Sequence, residues 1–289
     1  MPRDISQLED FTLPELLPGV IDEIAKLDTF SAALYPRIIV TSRPSIKFNR
    51  LINRGSATWN DGSCEVSTSS PSSAPAQYPL ELTSTGFDVC LPHADIYSDP
   101  TSVVGTELEQ GVLRMVEHLN EGFINGTGLN GQISGLDTEI TSTIDTATYG
   151  GDILKTLDAA YQSVRPRRDM VWVLSPEAEI EFNDEIRGTA GGDKSVDLWN
   201  GIMVPSYRGI AVTVSENVAA NEGYLVSLAS EGFNVRLGRR LEASSVGGVF
   251  GLRGPIQKQG SLVDQWQIYA NVASYLVNRQ TGVKVVNIG

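Results

Sequence analysis

The chain has 289 residues, of which 41% are hydrophobic and 20% are charged, and its formal net charge at pH 7 is −13. These values are typical of a folded protein with a substantial core, and they exclude a wholly disordered chain. So acidic a surface repels phosphate, which disfavours a tight nucleic-acid reader. It is compatible with a container whose wall does not bind its DNA, or it simply keeps the chain soluble. The N-terminal residues lack the apolar core of a signal peptide, and no stretch approaches the roughly 20 apolar residues that span a bilayer.

The first predicted element is a helix from about Leu13 to Leu27. Thr12 can cap it with Glu15 as the capping-box partner, although Pro18 also suits a start in the first turn. Its apolar residues recur at helical spacing: Leu16, Leu17, Val20, Ile21, Ile24 and Leu27. Together with the segment that ends at Pro36, this helix predicts an N-terminal arm over residues 1–42.

Residues 43–92 predict a long β-hairpin. Its two arms show alternating apolar residues: Ile46, Phe48 and Ile52 in the first, and Leu80, Leu82, Phe87, Val89 and Leu91 in the second. Between the arms, SCEVSTSSPSSAPAQ predicts a soft tip with little capacity to pack. An isolated two-stranded hairpin is marginal in water, so we expect this one to lie on another subunit.

The strongest helix prediction covers residues 100–124. Its apolar stripe consists of Leu108, Val112, Met115, Val116, Leu119 and Phe123. The glycine-rich NGTGLNGQISGL follows and predicts a flexible joint. Gly126, Gly128 and Gly131 match the GxGxxG pattern, but a helix precedes them where a nucleotide-binding loop needs a strand.

A second helix is predicted over residues 152–164, with Asp152 as its N-cap, and Met170–Leu174 predicts a buried strand. Ser175, Pro176 and Glu177 form a helix start, and that helix is expected to end near Gly188. The remainder is predicted to be mostly β. Its strands are Ile202–Val204, Ile210–Val214, a hairpin of Tyr224–Leu228 and Phe233–Leu237, Val263–Val277 and Val283–Ile288.

The charged clusters have local explanations in most cases. The acids between Glu177 and Glu185 are typical of the solvated face of an amphipathic helix. Arg165, Arg167 and Arg168 follow a helix C-terminus, where positive charge is favoured, although an intersubunit salt bridge is an alternative. Three other arginines lack such an explanation and suit an acidic neighbour: Arg236, Arg239 and Arg240.

The sequence carries no motif for catalysis or metal binding. GxSxG and HExxH are absent, the two cysteines and two histidines lack zinc spacing, and both His93 and His118 suit structural roles. We therefore predict no enzyme activity and no catalytic, cofactor-binding or metal site.

The order of elements resembles the major capsid proteins of tailed bacteriophages with the Hong Kong 97 fold. The likeness covers essentially the whole chain by layout. Three segments carry it: FINGTGLNGQISGL, DILKTLDAAYQSVRPRRDMVWVLSPEAEIEFNDEIRG and LWNGIMVPSYRGIAVTVSENV. The resemblance implies an α+β fold with an N-arm, an extended β-hairpin loop, a peripheral domain with a long spine helix, and an axial domain whose central sheet is flanked by helices.

Carried onto this chain, the resemblance implies an arm over 1–42 and an extended loop over 43–92. It places the peripheral domain at 93–135 and 245–289, and the axial domain at 136–244. The implied function is self-assembly as pentamers and hexamers into an icosahedral virion head that encloses double-stranded DNA, in the host cytoplasm. The implied partners are further copies, a separate scaffolding protein, a portal and a decoration or cement protein, without sequence-specific DNA binding or a membrane.

Residues expected to contact neighbouring subunits are Phe48, Arg50, Leu51, Ile52, Trp59, Arg236, Arg239 and Arg240. Some relatives cross-link a loop lysine to a neighbouring asparagine, but Lys47 lies near the hairpin base, so no cross-link is predicted. Alternatives are an encapsulin shell, which holds cargo enzyme in place of DNA, a soluble hydrolase, and another phage structural protein. Neighbouring genes for terminase and portal, or for a cargo enzyme, would separate phage from encapsulin.

Overall fold

The computed structural model describes residues 28–53, 72–90, 100–189, 195–199, 202–238, 245–246, 250–257 and 262–288. The helices in these ranges are α1 (Thr29–Leu34), α2 (Pro100–Asn125), α3 (Leu136–Glu139), α4 (Ile153–Ser163) and α5 (Pro176–Thr189). Short 3₁₀ turns cover Tyr35–Arg37, Thr146–Tyr149 and Arg279–Thr281. No helix of this described part is long and apolar enough to cross a membrane.

The strands of the first half are β1 (Ile39–Thr41), β2 (Ser45–Asn53), β3 (Ser72–Pro79), β4 (Glu81–Cys90), β5 (Thr143–Asp145) and β6 (Met170–Leu174). Those of the second half are β7 (Ser195–Trp199), β8 (Ile202–Tyr207), β9 (Ile210–Val214), β10 (Gly223–Ser227) and β11 (Phe233–Gly238). They continue with β12 (Ser245–Val246), β13 (Phe250–Gln257), β14 (Val263–Leu276) and β15 (Gly282–Val286).

A seven-stranded mixed sheet runs in the order β5-β15-β10-β6-β9-β8-β7. Its central strand β6 is parallel to β9 and antiparallel to β10. Val171 and Val173 of β6 belong to the core that also contains α2, whereas Trp172 and Leu174 pack with α4 and α5 on the other face. Because both faces are covered, the strand is an uninterrupted apolar run, as sheets between helices require.

A six-stranded sheet is built around β14, which pairs with β4, β11 and β13. Helix α2 covers this sheet with the apolar stripe that the sequence predicts, from Val112 to Phe123. The approach is close at Gly111, where an added Cβ would lie 2.6 Å from Cδ1 of Ile268. The predicted helix and the long strand Val263–Val277 are therefore confirmed, and the contact between them depends on a residue without a side chain.

Two helix starts follow the predicted capping chemistry. The Asp152 carboxylate accepts a hydrogen bond from the backbone N–H of Lys155 at 2.9 Å, and Ser175 Oγ accepts one from Ala178 at 3.2 Å. Each bond satisfies an N–H that has no partner within its own helix. Helix α5 ends at Thr189, one residue from the predicted end. The predicted helix over residues 13–27 lies outside the described residues.

The predicted hairpin is wrong in its second arm. Strand β2 pairs with β3, with Phe48 opposite Ala76, and so uses a segment that the sequence assigns to a soft tip. The predicted second arm forms β4, which pairs with β14 from Glu81↔Val272 to Cys90↔Val263. Serine, proline and alanine have weak intrinsic preference for strands, so the order of β3 comes from its pairing with β2.

Two further predicted connections differ from the structure. Strands β10 and β11 do not form a hairpin, because β10 lies in the seven-stranded sheet and β11 pairs with β14 in the other sheet. The final strand β15 does not pair with β14 either. It lies in the seven-stranded sheet between β5 and β10, although the resemblance places it with the peripheral elements.

Candidate functional site

The hairpin of β2 and β3 lies against the body of its own chain through one face. Ile46, Phe48 and Arg50 of β2 and Tyr78 of β3 are half-buried, whereas the residues between them in β2, Lys47 and Asn49, are exposed. This alternation follows from the two-residue period of a strand. The half-buried face therefore decides how the hairpin is attached.

An arginine on this face makes the central attachment. The Arg50 side chain is 12% exposed, and its Nη2 donates to Glu139 Oε2 at 2.8 Å. The same nitrogen donates to Tyr78 Oη and to the carbonyl of Leu276, each at 2.5 Å. The Glu139 side chain is 6% exposed, so this ion pair is largely removed from water. One guanidinium group thus joins the hairpin to α3 and to the end of β14.

Aromatic rings complete this attachment. The rings of Phe48 and Tyr78 stack with centroids 6.0 Å apart and an interplanar angle of 10°. The centroid of the Tyr275 ring of β14 lies 5.4 Å from the centroid of the Phe48 ring and 5.5 Å from that of the Tyr78 ring. We call Phe48, Arg50, Tyr78, Glu139 and Tyr275 the hairpin anchor.

Burial also sets the protonation state of Tyr78. The Tyr78 hydroxyl donates to Glu139 Oε1 at 2.6 Å while it accepts from Arg50. Desolvation, reinforced by the neighbouring Glu139 carboxylate, raises the pKa of Tyr78 to about 12. The phenol therefore stays protonated at neutral pH and remains a hydrogen-bond donor.

The turn that carries Glu139 is closely packed, which corrects the prediction of a flexible joint. Gly135 N donates to the carbonyl of Gly126 at 2.8 Å, and Gly128 N donates to that of Ile133 at 3.0 Å. A Cβ added at Gly126 would lie 2.2 Å from Ile133 O, so the backbone segments approach too closely for a side chain. These contacts connect the end of α2 rigidly to α3.

Helix α3 has only four residues, yet its two acids face different parts of the protein. Asp137 Oδ1 accepts from Lys284 Nζ of β15 at 2.7 Å and from Tyr224 Oη of β10 at 3.0 Å. The hydrogen bond from Lys284 is the main cause that lowers the pKa of Asp137. Glu139 contacts the hairpin instead. This helix therefore connects the seven-stranded sheet to the hairpin anchor.

Three of the residues predicted to contact neighbours meet at this site within one chain. Phe48 and Arg50 belong to the anchor, and Arg236 Nε donates to Tyr275 Oη at 2.9 Å. The backbones of Leu51 and Ile52 lie in β2. Their side chains, and all of Trp59, Arg239 and Arg240, fall outside the described residues.

The sequence analysis missed three anchor residues: Tyr78, Glu139 and Tyr275. Glu139 gave one usable signal, because it is an acid between the apolar residues Leu136 and Ile140, both of which are buried. Among the described residues, no group of three or more His, Cys, Asp or Glu side chains is placed to hold a metal ion.

A long helix on one sheet, a second sheet packed against helices and a hairpin attached to the body are the features of a Hong Kong 97-type capsid fold. The solved structures confirm that fold class. No protein-family model matches the chain, and no curated protein sequence matches it. The likeness is therefore one of structure.

The chain is similar to the holo-SrpI encapsulin complex from Synechococcus elongatus PCC 7942, with a TM-score of 0.70, 16% identity, and coverage of 87% of this chain and 85% of that one. It is similar to the capsid asymmetric unit of cyanophage A-1(L), with a TM-score of 0.65, 14% identity, and coverage of 90% of this chain and 92% of that one. It also resembles the virus-like particle from Pyrococcus furiosus, with a TM-score of 0.56, 12% identity, and coverage of 94% and 98%. At these identities the likenesses establish the fold.

Proposed function

We propose that this chain is a structural shell protein, the major capsid protein of a tailed phage. In this proposal it assembles as pentamers and hexamers into an icosahedral head around double-stranded DNA, in the host cytoplasm. The observation that carries the proposal is the fold likeness along almost the whole length of shell-building chains: the matches cover 87–94% of this chain and 85–98% of the solved ones.

The domain assignment is part of the same proposal. The arm would cover 1–42, the extended loop 43–92, the peripheral domain 93–135 and 245–289, and the axial domain 136–244. The pairing of β4 with β14 favours moving the end of the loop to about residue 80, and β15 favours the axial side. Scaffolding protein, portal and decoration protein remain proposed partners. Contact with adjacent subunits also remains a proposal for Phe48, Arg50, Leu51, Ile52, Trp59, Arg236, Arg239 and Arg240.

The hairpin anchor supports this function because it orients the loop before any neighbour binds. A hairpin that projects from a body needs a defined direction to reach the same place on each neighbour. The buried Arg50–Glu139 pair supplies that direction, since a charged pair with fixed hydrogen bonds tolerates little displacement.

An encapsulin-type shell is the second candidate, favoured by the TM-score of 0.70 with the holo-SrpI complex. Both candidates are tested on particles purified from the native source or from coexpression with a scaffold. Electron microscopy is expected to show closed icosahedral shells, and a chain that remains monomeric would refute both. Nuclease-protected double-stranded DNA inside the shells supports the phage capsid, whereas enclosed protein without DNA supports the encapsulin.

A further inference from the structure

A basic patch interrupts the acidic surface at the end of α4. Arg165, Arg167 and Arg168 are exposed in the segment after this helix, and Arg208 is exposed in the turn between β8 and β9. The guanidinium carbons of Arg167 and Arg208 lie 4.5 Å and 5.7 Å from the centre of the Tyr161 ring. The shared ring joins the two segments into one surface, which we call the arginine patch.

The patch keeps an excess of positive charge after its own acids are counted. Asp158 accepts hydrogen bonds from Arg208 Nε and Nη2, each at 2.5 Å. Asp169 lies 3.9 Å from Arg37, at the limit of an ion pair. Arg165 and Arg168 make no ion pair among the residues that the structure describes. On a chain with a net charge of −13, such an unbalanced cluster is a complementary surface for an anionic partner.

Helix α5 carries the opposite arrangement. Glu177, Ile180, Glu181 and Asp184 are exposed on consecutive turns, while Ala178 and Phe182 face the core. Within the described part of the chain, the three acids make no ion pair. The Ile180 side chain, which is 61% exposed, lies in the middle of them. We call these four residues the acidic stripe.

We propose that the acidic stripe of one copy docks on the arginine patch of the next copy in a ring of subunits. The proposal rests on the proposed function, since it requires a chain that assembles with itself. Two different surfaces of one chain make a head-to-tail contact, which generates closed rings when the rotation closes. Opposite charges fix the register and exclude wrong partners.

The arginine patch has the composition of an interface centre. Tyrosine and arginine are the residues enriched there, and both occur in the patch around Tyr161. Ile180 supplies the apolar contact from the other side. Phosphate of an enclosed nucleic acid would account for the arginines but would leave the acidic stripe unmatched, so the second copy is the occupant that explains both.

The test is a charge swap measured as shell formation by light scattering and sedimentation. E181R and R167E are each expected to raise the protein concentration needed for assembly about tenfold, because each places like charges in contact. For the double variant E181R/R167E, the concentration needed for assembly is expected to return to within about threefold of the wild-type value, because the two opposite charges face each other again with their positions exchanged. E117R, on the exposed face of α2, is the matched control for charge and helical context and is expected to assemble as the wild type does.

Unchanged urea unfolding of the dissociated variants shows that the exposed substitutions leave the fold intact. Assembly of both single variants at wild-type concentrations, or a double variant no better than the singles, overturns the proposal. Intact shells of R167E that have lost their nucleic acid, without rescue by E181R, also overturn it and assign the patch to phosphate. A wild-type chain that never forms shells refutes the proposed function and this contact together, whereas wild-type shells without rescue refute only the contact.

Discussion

The seven-stranded sheet and the hairpin anchor are stabilised by different physics. The sheet buries apolar side chains on both faces, with Trp172 and Leu174 against α4 and α5, and with Val171 and Val173 in the core that also contains α1 and α2. The hairpin has one half-buried face, and its attachment depends on one buried ion pair and three aromatic rings. Burial of area is non-directional and redundant, whereas a polar attachment fixes direction through few groups. Apolar burial therefore stabilises the body, whereas the polar attachment fixes the orientation of the hairpin.

The largest expected loss of stability comes from a substitution in the core of the seven-stranded sheet. Trp172→Ala removes a 1% exposed side chain from the core beneath α4 and α5. We expect the free energy of unfolding of the dissociated subunit to fall by about 3–5 kcal/mol in urea titration. Met203→Ala, at a 59% exposed position, is the control and is expected to stay within about 0.5 kcal/mol of the wild type. A Trp172→Ala loss below 1 kcal/mol would contradict this account of the core.

The next effect is confined to the hairpin. Glu139→Leu leaves the Arg50 guanidinium buried without its carboxylate, which costs about 3 kcal/mol. Hydrogen exchange is expected to accelerate in β2 and β3 and to stay unchanged in β6 and β10.

Two further variants sharpen the experiment on Glu139. The double variant R50M/E139L is expected to recover most of the loss, because an apolar pair replaces the ion pair. Asp137→Asn, in the same short helix, is expected to affect β10 and β15 and not the hairpin. If Glu139→Leu accelerated hydrogen exchange uniformly over both sheets, the anchor would stabilise the whole fold and not the hairpin alone.

A smaller effect is expected at Tyr78, and it depends on pH. Tyr78→Phe removes the hydrogen bond to Glu139 and is expected to cost about 1–2 kcal/mol at neutral pH. The pKa of this phenol is about 12 in the folded protein, against about 10 in an unfolded chain. The unfolded state therefore releases the proton first, and the contribution of Tyr78 is complete below pH 10 and lost as the pH rises to about 12.

The measurement is the difference in free energy of unfolding between wild type and Tyr78→Phe as a function of pH, since the other tyrosines cancel in that difference. It is expected to shrink as the pH rises from about 10 to about 12. If this free-energy difference stayed constant between pH 10 and pH 12, the Tyr78 phenol would have the same pKa in the folded and unfolded states, as expected for a group exposed to water.

The smallest effect concerns the cap of α5. Ser175→Ala removes the oxygen that accepts from Ala178 N and is expected to cost about 1 kcal/mol in urea unfolding. Ser175→Thr retains the oxygen and is the matched control. Equal losses in the two variants would assign the effect to packing around Ser175, which is fully buried.

The sequence predicted those elements whose information is local. The stripe of α2, the caps of α4 and α5 and the apolar run of β6 each combine a period with a start or stop residue, and each is confirmed. The fold class followed from their order, and it is confirmed as well. Periodicity and capping are properties of neighbouring residues, so they are available before the tertiary structure is known.

The pairing of strands was less accessible, because partners are distant in sequence. Strand β3 contains two prolines and no β-branched residue, so its own residues do not favour a strand. The placement of β10 and β11 in different sheets could not be predicted for the same reason, since two neighbouring strands joined by a turn also fit a hairpin. Of the anchor, the sequence singled out Phe48 and Arg50, but as contacts with a neighbouring subunit and not with their own chain. Tyr275 belongs to the anchor only because β14 passes beneath the hairpin.

Strand β14 has a mechanical consequence. A pull on the hairpin enters the body through the backbone, since β3 continues through Leu80 into β4, and also through Arg50 at the carbonyl of Leu276, the last residue of β14. Along the strand, the load reaches a ladder with β4 that runs from Val263 to Val272 and is shared with β11 and β13. Force applied along a strand shears all rungs of such a ladder at once, whereas force across it opens them one by one. A pull directed along β4 and β14 therefore loads the whole ladder of strand pairs together, whereas the anchor holds the hairpin through a few side chains.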